Sequence, residues 1–167
     1  MARALLSLGT NLGDRRWNLG EAVRRLRRSD MAPALVSGIY ETEPVGAAAG
    51  PGWFLNVAAV ATTTLGPREV LQACLQIERA MGRVRDVPGG PRSIDIDLLA
   101  WEEIIIQQPD LVVPHPRMHE RRFVLEPLAE IAPEWTHPRL GRTVAELRDS
   151  LIDPSQVRRI CDWPGDL

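Results

Sequence analysis

The chain has 167 residues, 44% hydrophobic and 25% charged, with a formal net charge of −2. A chain of about 150 residues buries roughly two thirds of its unfolded surface, so a single domain spanning 1–167 with its own core is expected. Acidic and basic residues nearly balance, so net charge says nothing strong about partners, and no apolar run approaches ~20 residues, which argues against a bilayer-spanning helix.

Residues 4–8 read as a short buried strand ending at Gly9. Asn11 or Asp14 can cap the next helix, in which Leu19, Ala22, Val23 and Leu26 recur at i, i+3, i+4 and i+7 with Arg24, Arg25, Arg27 and Arg28 outside. Residues 35–43 alternate as a strand, 44–52 form a loop rich in Gly, Ala and Pro, and 53–64 are strongly β-prone. Pro67 suits the first turn of a helix to about Met81, with Val70, Leu71, Cys74, Leu75 and Ile77 inward and Gly82 as its stop. A strand over 93–101 completes the order strand, helix, strand, strand, helix, strand. That order is the ferredoxin-like βαββαβ unit, an α+β fold with a mainly antiparallel sheet and helices packed on one face. C-terminal additions follow: an apolar 104–106, a Pro-bounded 112–116, a helix near 125–131, and a last helix capped by Thr143 with Glu146 three residues on.

The chemistry concentrates in residues 82–97, GRVRDVPGGPRSIDID. On a strand, Asp95 and Asp97 share one face while Ile94, Ile96 and Leu98 share the other. Paired hard oxygens suit Mg²⁺, which usually takes one or two carboxylates plus substrate phosphates. Arg83, Arg85 and Arg92, from the Pro/Gly-rich stretch just before, can neutralise those phosphates. The run reads as a magnesium-nucleotide site. All 20 basic residues are arginine, so a Walker A lysine, a Schiff-base lysine and a lysine general base are excluded. Cys74 and Cys161 are too few for a disulfide framework; no secretory signal is read, and a cytoplasmic location is expected.

Six blocks in order carry a resemblance: SLGTNLGD (7–14), YETEPVG (40–46), FLNVA (54–58), IERAMGRVR (77–85), GPRSIDIDLL (90–99) and VPHPRMHERRFVLEPL (113–128). Together they resemble the 6-hydroxymethyl-7,8-dihydropterin pyrophosphokinase family of folate biosynthesis, over the chain up to about Trp135. The resemblance implies transfer of pyrophosphate from ATP to the hydroxymethyl oxygen of the reduced pterin, leaving AMP. It implies two Mg²⁺ ions held by Asp95 and Asp97, with Arg83 and Arg92 as transition-state arginines from a loop that closes over the phosphates. By the same likeness Glu78, Arg85, Leu98, Val112, His115 and Arg121 fall at ATP-binding positions. Thr42, Val45, Phe54, Asn56 and Phe123 fall at pterin-binding positions. An amide such as that of Asn56 offers adjacent donor and acceptor groups to the pterin edge, and Phe54 and Phe123 can sandwich a flat ring.

Two positions depart from the family pattern. Gly89 stands just before Gly90-Pro91-Arg92 where an aromatic or bulky residue is common, and Trp53 is a candidate substitute for that missing lid. Pro116 follows His115 where an aromatic is common. Flanked by Pro114 and Pro116, His115 does not form a helical zinc pair with His119. Two rival readings are carried forward: ordinary phosphoryl transfer to a small alcohol, which would release ADP, and a non-catalytic ferredoxin-like RNA-binding module. The acidic sheet face speaks against the second. ATP and the pterin are the expected partners of a monomer, with no nucleic acid and no membrane.

Overall fold

The computed structural model describes residues 1–45, 52–82 and 93–165. Its elements, in chain order, are β1 (Ala2–Thr10), α1 (Arg15–Arg27), β2 (Met31–Val36), β3 (Ile39–Thr42), β4 (Phe54–Thr63), α2 (Pro67–Ala80) and β5 (Asp95–Trp101). After these come β6 (Ile106–Gln108), β7 (Leu111–Val113), a 3₁₀ turn (Met118–Glu120), α3 (Arg122–Ile131), β8 (Thr136–His137), β9 (Arg142–Thr143), α4 (Val144–Ser150) and β10 (Val157–Cys161).

The helix ends follow from side chains placed to satisfy backbone groups. Asp14 Oδ1 accepts the Trp17 N–H at 3.0 Å and starts α1. Pro67 opens α2, and Glu69 Oε2 accepts the Gly66 N–H at 2.8 Å. Thr143 and Glu146 form the reciprocal capping box of α4, at 3.2 and 3.0 Å.

The main sheet runs β10-β3-β4-β1-β5, with β2 also beside β4, and every pairing is antiparallel. β2 and β3 are two halves of one line, so the strand read over 35–43 begins four residues earlier, at Met31. Its break at Ser37 and Gly38 is bridged: Ser37 N–H donates to Ala58 O, and Ser37 Oγ accepts the Ala58 N–H, both at 2.9 Å. β10 adds an edge strand to β3, held by Arg158 on Glu41 at 2.6 Å and Arg159 on Glu130 at 3.1 Å.

Side-chain alternation along β1 divides the core in two. Ala4, Leu6 and Leu8 face α1 and α2, together with Val57 and Ala59 of β4 and the trio Ile94, Ile96 and Leu98. Leu5, Ala58, Val60 and Leu99 face α3 and α4. The ferredoxin-like helices therefore cover one face, as the element order implies, and the C-terminal helices cover part of the other. Between β1 and β5 the register slips by one, from Leu5 opposite Ala100 to Leu6 opposite Leu98. Leu99 and Ala100 thus both turn toward α3. No helix among the described residues is long and apolar enough to cross a membrane.

Candidate active site

The sheet register assembles the site. Ser7 lies opposite Asp97 and Ala58, and Gly9 lies opposite Asp95 and Asn56. A period of two then sets Ser7, Gly9, Asn56, Asp95 and Asp97 on the face that α3 covers only in part. They floor a cavity of about 610 Å³ whose walls include Thr42, Phe54, Arg121 and Phe123. A second cavity, of about 380 Å³, opens at the outer edge of β5, between Leu71, Leu75 and Glu78 of α2 and the stretch carrying Val112 and His115. Asp95 and Asp97 line both cavities. Two compartments thus meet at one pair of carboxylates.

In the larger cavity, Asn56 Nδ2 donates to Thr42 Oγ1 at 2.6 Å, which fixes the amide plane. Gly9 makes room for it: a Cβ there would stand 2.5 Å from Asn56 Oδ1 and 3.8 Å from Phe54 Cδ1. Phe54 and Phe123 are half-buried and border the cavity, so neither is a plain core aromatic. The Arg121 guanidinium carbon lies 5.6 Å from the Phe123 ring centroid. Burial, and then Arg117, lower the Arg121 pKa, while Asp97 and Asp95 oppose the shift.

In the edge cavity, the His115 N–H donates to Leu99 O at 2.7 Å and ties this stretch to β5. His115 Nδ1 accepts the Arg117 N–H at 3.1 Å, so the neutral ring carries its proton on Nε2. Burial, reinforced by Arg121, holds the His115 pKa at about 4 even though Asp95 pulls the other way. Leu71 and Leu75, read from sequence as inward, are half-buried and form the cavity's apolar wall, with Leu98 and Val112 nearby. Glu78 is only 1% exposed, and its Oε1 accepts the Ile96 N–H at 2.8 Å. Its carboxylate therefore supports β5 between the two aspartates.

The donor chemistry fits magnesium. Among the described residues no three His, Cys, Asp or Glu side chains group as a metal cage. Two carboxylates facing open space suit a hard ion that completes its shell with water and substrate phosphates. His119, four residues beyond His115, packs on His137 with ring centroids 5.9 Å apart.

Asp95, Asp97, Thr42, Val45, Phe54, Asn56, Arg121 and Phe123 come together around the larger cavity, and Glu78, Leu98, Val112 and His115 around the edge cavity. Arg83, Arg85 and Arg92, with Gly89 and Gly90, lie outside the described residues. The chain flanking them is tied together by Ser93 Oγ donating to Met81 O at 2.8 Å. Trp53 does not reach the larger cavity. Its carbonyl accepts from Arg15 at 2.8 Å, and it lines a separate hollow with Glu41 and Arg158, so the substitute-lid idea fails. The sequence reading missed Ser7, Gly9, Arg117, Glu120 and residues 152–155 as lining groups. Gly9 stood within the quoted SLGTNLGD block, and its lack of a side chain was the available signal.

The model of the 7,8-dihydro-6-hydroxymethylpterin-pyrophosphokinase (HPPK) family matches residues 5–133. The chain belongs to this family. It is 44% identical over 161 residues to the 2-amino-4-hydroxy-6-hydroxymethyldihydropteridine pyrophosphokinase of Methylorubrum extorquens, covering 96% of this chain and 99% of that protein. With the Bacillus subtilis protein of the same name it shares 46% identity over 129 residues, 77% of each chain. It also matches the folic acid synthesis protein fol1 of Schizosaccharomyces pombe, at 37% identity over 94% of this chain but 21% of that one. Among solved structures, an HPPK-DHPS in complex with substrates superposes with a TM-score of 0.70 at 16% identity, over 89% of this chain and 43% of that one. A Plasmodium falciparum HPPK-DHPS gives a TM-score of 0.71 at 18% identity, over 89% of this chain and 41% of that one. These likenesses show the fold.

Proposed function

We propose that the protein transfers the pyrophosphoryl group of ATP to the hydroxymethyl oxygen of 6-hydroxymethyl-7,8-dihydropterin, a step of folate biosynthesis. The observation that carries this reading is the sharing of Asp95 and Asp97 between two cavities of different character. The larger, with a fixed amide and two aromatic rings, suits the flat pterin. The edge cavity, with an apolar wall and a neutral histidine, suits the nucleotide.

The hydroxymethyl oxygen attacks the β-phosphorus as the bond from that phosphorus to the α,β-bridging oxygen breaks. AMP leaves with the bridging oxygen, and the hydroxyl proton passes to solvent. Asp95 and Asp97 would hold two Mg²⁺ ions. Bound there, magnesium supplies positive charge to the phosphate oxygens and lowers the cost of charge developing on the leaving group. Phe54 and Phe123 hold the pterin ring, and Asn56 with Thr42 fixes its polar edge. His115 Nε2–H donates to a phosphate oxygen, and Arg121 faces the same charge from the wall of the larger cavity. Leu71, Leu75, Leu98 and Val112 pack on the base. Glu78 acts beneath, by holding β5. Arg83 and Arg92 take up charge on the transferring group, and Arg85 binds ATP; these three roles rest on the family likeness of their positions. In this reading the enzyme is a cytoplasmic monomer with no nucleic-acid or membrane partner, and free Cys74 and Cys161 fit a reducing compartment.

The test is magnesium-dependent turnover of the Asp97→Ala variant. A folded variant with at least ~10³-fold lower turnover supports the assignment, a loss in keeping with removal of a principal electrostatic group. Turnover close to that of the parent protein would sink it.

A further inference from the structure

Residues 152–155 lie beyond the span matched by the family model, yet they form one side of the larger cavity. Leu151 is extended and packs on the core beneath α3 and α4, so the next side chain points the opposite way. That side chain is Ile152, 97% exposed and at the cavity border. A lone exposed isoleucine is ordinary on a protein surface. This one differs in how its backbone is held.

Arg122, the residue before Phe123, grips the segment three times. Its N–H donates to Asp153 Oδ2 at 3.1 Å, its Nε to Asp153 O at 3.1 Å, and its guanidinium to Leu151 O at 3.0 Å. Asp153 Oδ1 also accepts the Ser155 N–H at 2.9 Å. On the far side, Glu43 N–H donates to Gln156 O at 3.0 Å, and Gln156 N–H donates to Glu43 Oε1 at 2.9 Å. The segment is therefore tied both to the start of α3 and to the stretch that carries Thr42 and Val45. Apart from prolines, the apolar side chains bordering the cavity among the described residues are Val45, Phe54, Phe123 and Ile152. Val45, 57% exposed, and Ile152 are the two that stand open to water.

We propose that residues 152–155 are the outer wall of the pterin compartment and that Ile152 is a specificity-determining contact, closing with Val45 on the apolar rim of the bound heterocycle. The proposal rests on the reading of the larger cavity as the pterin site. Ile152 is 97% exposed, so its burial against a ligand is a gain that a polar residue there would forfeit. Arg122 is a positioning residue that acts through Asp153 and Leu151.

The test uses the full chain with Mg²⁺ and a non-hydrolysable ATP analogue. Pterin binding is read by fluorescence for the parent protein, Ile152→Asp and Ile152→Leu, alongside ATP affinity and Tm. Ile152→Asp is expected to weaken pterin binding about tenfold, equivalent to about 1.4 kcal/mol, with ATP affinity and Tm unmoved. Ile152→Leu should restore binding to within about threefold, since leucine recovers most of the buried area. Pterin affinity of Ile152→Asp within twofold of the parent protein overturns the wall assignment while leaving the pterin site standing. Absence of pterin binding by the parent protein overturns both.

Discussion

The Ile96 N–H donates a 2.8 Å hydrogen bond to Glu78 Oε1, from the last turn of α2 to the residue between Asp95 and Asp97. Among the described residues β5 is an edge strand, and its outer side has no ladder partner in the main sheet. A strand presenting two carboxylates needs its backbone held by something else, and a buried glutamate does this. Removing that acceptor leaves a buried N–H unsatisfied, at a cost of about 1–3 kcal/mol.

Glu78→Ala is accordingly expected to lower Tm by several degrees, at about 2–4 °C per kcal/mol for a chain of this size. It should also reduce turnover by misplacing both aspartates. Glu78→Gln keeps an acceptor and should lie between the parent protein and Glu78→Ala on both scales. Thermal melts with steady-state assays check this, and an Ala variant of parental Tm and turnover would contradict it.

Gly9 gives a sharper separation of binding from folding. Alanine is tolerated in a strand at least as well as glycine, yet its Cβ would stand 2.5 Å from Asn56 Oδ1. Displacing that amide breaks its 2.6 Å bond to Thr42 and fills the cavity floor. Gly9→Ala should weaken pterin binding tenfold or more, because a site's polar groups are costly to leave mispaired. ATP affinity should hold. Calorimetric titration with each ligand tests this, and equal weakening of both would point to general disruption.

The His115 pKa of about 4 lies below the ordinary 6.5 because burial, and next Arg121, disfavour the imidazolium. Between pH 6.5 and 4 the unfolded chain therefore binds the extra proton and the folded chain does not. Stability rises with pH through that window, and His115's contribution is lost as acid approaches pH 4. At pH 7 the ring is neutral with Nε2–H available as a donor. An NMR titration of the His115 ring should give a midpoint near 4; a midpoint near 6.5 would contradict this role.

Much of this architecture was legible locally. The i, i+3, i+4 stripe of α1, the Pro67 start of α2 and the alternation across 93–101 all repeat within a few residues, and each gave an element near its observed place. Asp95 and Asp97 were legible for the same reason: a period of two assigns them a face before any partner is known. β10 was not. Arg158 and Arg159 break the apolar alternation, and their partners Glu41 and Glu130 lie 117 and 29 residues away. Residues 152–155 were missed on similar grounds, since Asp153 meets Arg122 across 31 positions. Leu71 and Leu75 sit on the apolar side of α2, and periodicity alone does not separate a core leucine from one lining a cleft. Arg83, Arg85 and Arg92 stand apart, because their roles come from likeness to the family and lie outside the described residues.

The most direct measurement of the central claim is the identity of the nucleotide released when the protein is incubated with Mg·ATP and 6-hydroxymethyl-7,8-dihydropterin. Formation of AMP with one equivalent of pterin diphosphate is the predicted result. Release of ADP with a pterin monophosphate would contradict it.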